Sequence, residues 1–150
     1  MPYYFDDWAI CGLHEVDAEV GARRRILLAP HPRAFGFGEH PSTRECLQLL
    51  RRHQVQLPGW RVVDVGTGTG ILAIAAVLLG ASEVVAFEQD EEIRALAAQN
   101  FALNEVDIEL RGSWPEDWDG HTFDLALANI DAGPLSHLVA SQAVGNGKTT

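Results

Sequence analysis

Gly66, Gly68 and Gly70 stand at alternate positions in the stretch VVDVGTGTGILAIAA, between a short β-prone run and a longer apolar one. Glycines so placed permit positive φ and let a ligand come close to the backbone. Where a helix begins just after them, its first N–H groups add unpaired donors and a partial positive charge. Two carboxylates flank the turn: Asp64 just before it, and Glu88 at the end of the next β-prone run. An acid placed like Glu88 accepts both hydrogen bonds of a ribose diol and repels a 2′-phosphate. Asp64 would repel a pyrophosphate and attract an ammonium group. The dinucleotide fingerprint GxGxxG needs its third glycine at position 71, which is Ile71. The ligand these residues suit is therefore a nucleoside with a cationic amino-acid tail, and S-adenosylmethionine fits that description. The glycine spacing and Asp64 disfavour an NAD(P)-dependent oxidoreductase.

The surrounding pattern supplies elements to hold such a turn. Arg61–Val65 reads as a buried strand, Gly70–Leu79 as a helix, Glu83–Phe87 as a strand and Glu91–Asn104 as a helix. A short strand over Asp107–Leu110, a loop over Trp114–His121, a buried strand over Phe123–Ala128 and a helix over Pro134–Val144 follow. Upstream, Trp8–Leu13 and Arg25–Ala29 are β-like, and His31–Pro41, with its glycines and prolines, is a loop. Ser42 with Glu45 gives the capping-box spacing of a helix that buries Cys46, Leu47, Leu49 and Leu50. That helix ends before the Pro58-Gly59 turn. Alternating strands and helices of this length predict an α/β fold, a Rossmann-like doubly wound parallel sheet with helices on both faces. Ligands of such sheets bind at the carboxyl ends of the strands, where the glycine turn lies.

Bulk composition excludes several classes. The net charge of −10 argues against nucleic-acid binding, which needs clustered lysine and arginine. The same charge would attract a basic partner such as a lysine-rich protein tail. The longest apolar run, Ile71–Leu79, is too short to span a bilayer, and the first residues carry acids and no basic cluster. Cys11 and Cys46 form no CxxC pair, and no metal-ligand spacing occurs, so reduced thiols, a cytoplasmic location and no metal are expected.

Four stretches together resemble a known family. They are AFGFGEHPST, the glycine stretch extended to VVDVGTGTGILAIAAVLLGASEVVAFEQD, then ALAAQNFALNEV and FDLALANIDAGPL. Between Arg33 and Leu138 the chain resembles the class I S-adenosylmethionine-dependent methyltransferases of the bacterial ribosomal-protein lysine methyltransferase type, which modify the stalk-base protein. The early FGxGxHPxT element separates that family from the wider superfamily. The resemblance implies S-adenosylmethionine as methyl donor and an amine nitrogen, of a protein or a small molecule, as acceptor. It implies that Gly66, Thr67, Gly68 and Gly70 hold the cofactor, with Asp64 near its ammonium and Glu88 on its ribose. Phe35, Gly36, Gly38, His40 and Thr43 would close over the methionine end, and Ser113 or Trp114 would meet the adenine. Asn129 would sit beside the reactive methyl, and Asn129 and Asp131 are the candidate catalytic groups, with Glu39 a further proton acceptor.

Phe37 departs from the small or hydroxyl residue usual between the two glycines of the early element. Residues 1–32 form a short β-like extension where the family carries a separate recognition domain, and residues 33–150 form an incomplete methyltransferase core. The family's seven strands run in the order 3-2-1-4-5-7-6, and the sequence is expected to be truncated at its carboxyl end after about strand four. That strand would then be a sheet edge, open to a homodimer or to completion by another chain. A cofactor-binding module without catalysis is the alternative reading.

Overall fold

The computed structural model describes residues 2–5, 7–17, 24–31, 41–113, 123–130 and 137–141. The sheet that carries the glycine turn has five strands. Before it in the chain come β1 (Tyr3–Phe5), β2 (Trp8–Gly12), β3 (Arg24–Leu28) and helix α1 (Pro41–Arg52). Then follow β4 (Arg61–Val65), α2 (Ile71–Leu78), β5 (Glu83–Phe87), α3 (Glu91–Leu103), β6 (Glu109–Arg111), β7 (Leu125–Ile130) and β8 (His137–Ser141). The main sheet runs β6-β5-β4-β7-β8, with β4 parallel to both β5 and β7, and β5 parallel to β6. Its first four strands reproduce the expected 3-2-1-4 order.

β4 is the centre of this sheet, and its sequence explains why. Val62 and Val63 are buried on opposite faces, in two separate apolar clusters, as an interior parallel strand requires. Arg61 marks its exposed start, where Asp124 accepts the Arg61 N–H at 2.9 Å and Glu83 holds the guanidinium at 2.7 Å. α2 is apolar nearly all round, with Ile71 through Ala76 all buried. It has no solvated face to keep because it packs between β4 and β5, α1 and β3. α3 starts at Asp90, whose Oδ1 accepts the N–H groups of Glu92 and Ile93 at 3.0 and 3.2 Å, a direct N-cap.

The amino-terminal strands form a second sheet, β1-β2-β3, with β2 parallel to β3 and antiparallel to β1. Trp8, Ile10, Ile26 and Leu28 join the same apolar cluster as α1, α2 and β4. β3 packs on both α2 and α3. α2 therefore meets both sheets, and α3 meets the second.

Four expectations are corrected. α1 begins at Pro41, so Ser42 lies buried inside the first turn and is not its cap. Proline presets the helical φ and has no N–H to satisfy, which suits it to the first helical position. Leu49 is only partly buried in this helix. The segment within the helix predicted over Pro134–Val144 is instead strand β8, antiparallel to β7 with Asn129 opposite Leu138. Helix and strand propensities differ by only tenths of a kcal/mol per residue, and the unpaired groups of an adjacent strand outweigh them. The outer edge of β7 is thus paired within the chain, and the expected open edge for a second chain is not there. Among the described residues no helix is long and apolar enough to cross a membrane.

Candidate functional site

β4 ends at Val65, and the next five residues turn the chain back into α2. Gly66, Gly68 and Gly70 have φ of 71°, 57° and 86°, each in the left-handed region, where residues with a Cβ are strained. Three hydrogen bonds from backbone N–H groups fix the turn. The Thr67 N–H donates to the Phe87 carbonyl at 2.8 Å and the Gly70 N–H to the Thr67 carbonyl at 2.8 Å. The Gly68 N–H donates to Glu88 Oε1 at 3.0 Å. At Gly70, an added Cβ would lie 2.5 Å from Cε1 of Phe101.

Beneath the turn, Asp64 is 1% exposed. Its Oδ2 accepts the Thr67 hydroxyl at 2.7 Å. Its Oδ1 is the only buried side-chain nitrogen or oxygen among the described residues without a hydrogen-bond partner. Burial pushes this carboxyl up to about 6; the Thr67 hydroxyl and the Ala73 amide hold it back, and the Glu88 charge adds to the rise. Across from it on α1, burial pushes the Cys46 thiol up to about 12, with the Asp64 charge as the next contributor. Thr43 lies one turn before Cys46, and the two are buried on one face of α1.

Because the folded chain holds the Asp64 proton to about 6 and the free group releases it near 3.8, folding favours the protonated form. The associated stability is complete below about pH 4 and is lost as pH rises to about 6, by on the order of 3 kcal/mol. Urea unfolding of the wild type and Asp64→Asn across pH 4 to 7 should show this slope in the wild type alone. Equal slopes would mean that Asp64 ionises freely in the folded chain.

Glu88 follows β5 directly. Its Oε2 accepts the Asp90 N–H at 3.1 Å, its own N–H donates to the Arg111 carbonyl at 3.0 Å, and the Arg94 guanidinium donates to its carbonyl at 2.9 Å. Each carboxylate oxygen accepts only one bond here and has capacity for another. Ser113 is exposed shortly after β6, at the same end of the sheet. Asn129 lies in β7 one residue beyond Ala128, the partner of Val65, and so is level with Gly66. The structure brings Asp64, Gly66, Thr67, Gly68, Gly70 and Glu88 into one cluster, with Asn129 and Ser113 at the ends of flanking strands. Phe35, Gly36, Phe37, Gly38, Glu39, His40, Trp114 and Asp131 lie outside the described residues, as does the loop expected over Trp114–His121.

Two residues escaped the motif reading. Asn100 is fully buried and donates through Nδ2 to the Thr69 carbonyl of the turn at 2.8 Å, while its Oδ1 accepts the Ala29 N–H at 2.8 Å. Asn104 pairs with Leu27. A signal was available: Ile93, Leu96, Ala97, Asn100 and Phe101 follow helical spacing, and a polar residue on such an apolar stripe needs partners.

This arrangement can be tested against a ligand. An unpartnered, buried carboxylate oxygen is unfavourable unless a donor or cation reaches it. An ammonium group supplies both. The glycines allow the left-handed turn at the ends of the strands, and Glu88 has acceptor capacity for a ribose. The residues present fit S-adenosylmethionine.

The strand order, the glycine turn after the central strand and the acid after its neighbour define a class I methyltransferase fold. A solved S-adenosylmethionine-dependent methyltransferase from Agrobacterium tumefaciens shares that fold, with a TM-score of 0.52 and 20% identity over 61% of this chain and 32% of that one. The chain belongs to the ribosomal protein L11 methyltransferase (PrmA) family, whose model matches residues 6–147. It is 48% identical over 106 residues to the ribosomal protein L11 methyltransferase of Myxococcus xanthus, covering 70% of this chain and 36% of that protein. The crystal structure of ribosomal protein L11 methylase from Lactobacillus delbrueckii subsp. bulgaricus matches with a TM-score of 0.65 and 35% identity, over 82% of this chain and 61% of that one. The chain spans about a third of the length of the curated relatives it matches.

Proposed function

We propose that this chain forms the S-adenosylmethionine-binding part of a cytoplasmic enzyme that methylates an amine nitrogen of a protein, with ribosomal protein L11 as the substrate class its relatives' names supply. The observation that carries the reading is the buried, unpartnered Oδ1 of Asp64 beneath the glycine turn. In this reading Asp64 accepts from the ammonium, Glu88 accepts from the ribose diol, and Gly66, Thr67, Gly68 and Gly70 form the floor. Phe35, Gly36, Gly38, His40 and Thr43 cover the methionine end, and Ser113 or Trp114 meets the adenine. The bound sulfonium supplies an activated methyl group to an acceptor lone pair in line with the departing sulfur. The protein's part is positioning, which by itself removes several kcal/mol of barrier. Asn129 orients the acceptor nitrogen from the end of β7, and Asp131 or Glu39 takes its proton.

Titration calorimetry with S-adenosylmethionine and S-adenosylhomocysteine tests this directly. Both carry the ammonium, so both should bind, and binding should favour ionised Asp64. Affinity should therefore rise as pH climbs through the value of about 6 for that carboxyl, with a loss of about 10-fold at one unit below it. Binding of NAD with none of either sulfur compound would overturn the reading. Binding without transfer to L11 or any basic protein would leave a cofactor module and remove the enzymatic half of the proposal.

A further inference from the structure

The outward edge of β3 meets two side chains where a neighbouring strand would otherwise lie. The Leu27 N–H donates to Asn104 Oδ1 at 2.9 Å, and Asn104 Nδ2 donates to the Leu27 carbonyl at 2.8 Å. This reciprocal pair copies the bonds of an adjacent strand and blunts the edge. One helical turn earlier, Asn100 Oδ1 accepts the Ala29 N–H at 2.8 Å. The two asparagines differ in one respect. Asn104 spends its remaining donor on the Asn100 carbonyl within its own helix at 2.8 Å. Asn100 instead reaches across to the Thr69 carbonyl at 2.8 Å.

Thr69 lies between two left-handed glycines, Gly68 and Gly70. Its carbonyl and the Gly70 N–H belong to one planar peptide unit and point in opposite directions. Holding the carbonyl therefore aims the Gly70 N–H at the Thr67 carbonyl, 2.8 Å away, and closes the turn. Gly70, on one side of this peptide, leaves it freedom to tilt in the absence of a tether. Asn100 is that tether, and its other end is fixed to Ala29, the residue that follows β3.

We infer that Asn100 is a positioning residue that couples the glycine turn to the amino-terminal sheet, so that a ligand on the turn steadies the end of β3 and the sheet in turn sets the shape of the turn. The inference rests on the reading of that turn as the S-adenosylmethionine site. Thermodynamic coupling of this kind is reciprocal. It differs from a purely structural role because Asn104, which caps the same helix and holds β3 at Leu27, has no bond to the turn.

The unmodified protein provides the first test, by amide exchange followed residue by residue with and without S-adenosylhomocysteine. The ligand should slow exchange of the Ala29 N–H by about 5-fold more than that of the Leu27 N–H. Equal slowing of the two, with ligand bound, would overturn the coupling. In variants, Asn100→Ala should weaken S-adenosylhomocysteine binding by about 10-fold. Asn104→Ala should leave that affinity unchanged, although each variant lowers the unfolding midpoint. Similar affinities in the two variants would also overturn it. Should Asn100→Ala fail to fold, the exchange contrast in the unmodified chain decides alone. Absence of any ligand binding by the wild type defeats the cofactor reading first, and the coupling falls with it.

Discussion

Replacing Glu88 by Ala is expected to weaken S-adenosylhomocysteine binding by about 100-fold or more, measured by calorimetry near neutral pH. The size follows from the bonds at stake. A hydrogen bond to a charged group is worth about 1.5–3 kcal/mol, and a ribose diol offers two. The carboxylate does not have to release the Gly68 and Asp90 N–H groups to receive them, since each of its oxygens holds one bond at present. Glu88→Gln keeps the shape and one acceptor oxygen, so its loss should be nearer 10-fold. Both variants should retain most of their stability, because the freed N–H groups are only partly buried and water can reach them. Unchanged affinity in Glu88→Ala would reduce this residue to a brace for the turn.

Gly70→Ala is expected to destabilise the fold by about 3 kcal/mol and to lower the thermal midpoint by about 10 °C. Two independent penalties combine here. A residue with a Cβ is strained at φ 86°, and that Cβ would overlap the buried Phe101 ring at 2.5 Å. Their separation is measurable with Phe101→Leu. Leucine lacks Cε1 and Cζ, which lie 2.5 and 3.2 Å from the added Cβ, and the next ring atom, Cδ1, is 3.3 Å away. In a double-mutant cycle the second substitution should recover the overlap and leave the backbone strain, giving a favourable interaction of about 1–2 kcal/mol. An additive cycle would show that Phe101 swings aside without resistance and that φ alone demands glycine here.

Legibility in the sequence differs sharply between these residues and others. β4, the turn, α2 and β5 are adjacent in the chain, and the site they build is local: Asp64, the three glycines and Glu88 all lie within one βαβ unit. Strand and helix periods there matched the observed bounds closely, with β4 and β5 at their predicted residues. The overlap of Gly70 with Phe101 was not legible, because it arises where α3 crosses the start of α2. The same holds for the orphaned Asp64 oxygen, which becomes a signal only once burial is known.

The sequence by itself determined the fold class, the parallel core and the place of the glycine turn, because hydrophobic period and residue type act over a few neighbouring positions. Tertiary structure alone decided three things. It paired the segment at His137–Ser141 with β7 as a strand, set β3 against α2 and α3, and joined Asn100 to Ala29 and Asn104 to Leu27 across separations of 71 and 77 residues. A stretch of chain encodes which of its faces is apolar and which backbone shapes it prefers. It does not encode which distant edge will satisfy its polar groups, since that bond exists only after both surfaces have folded and met.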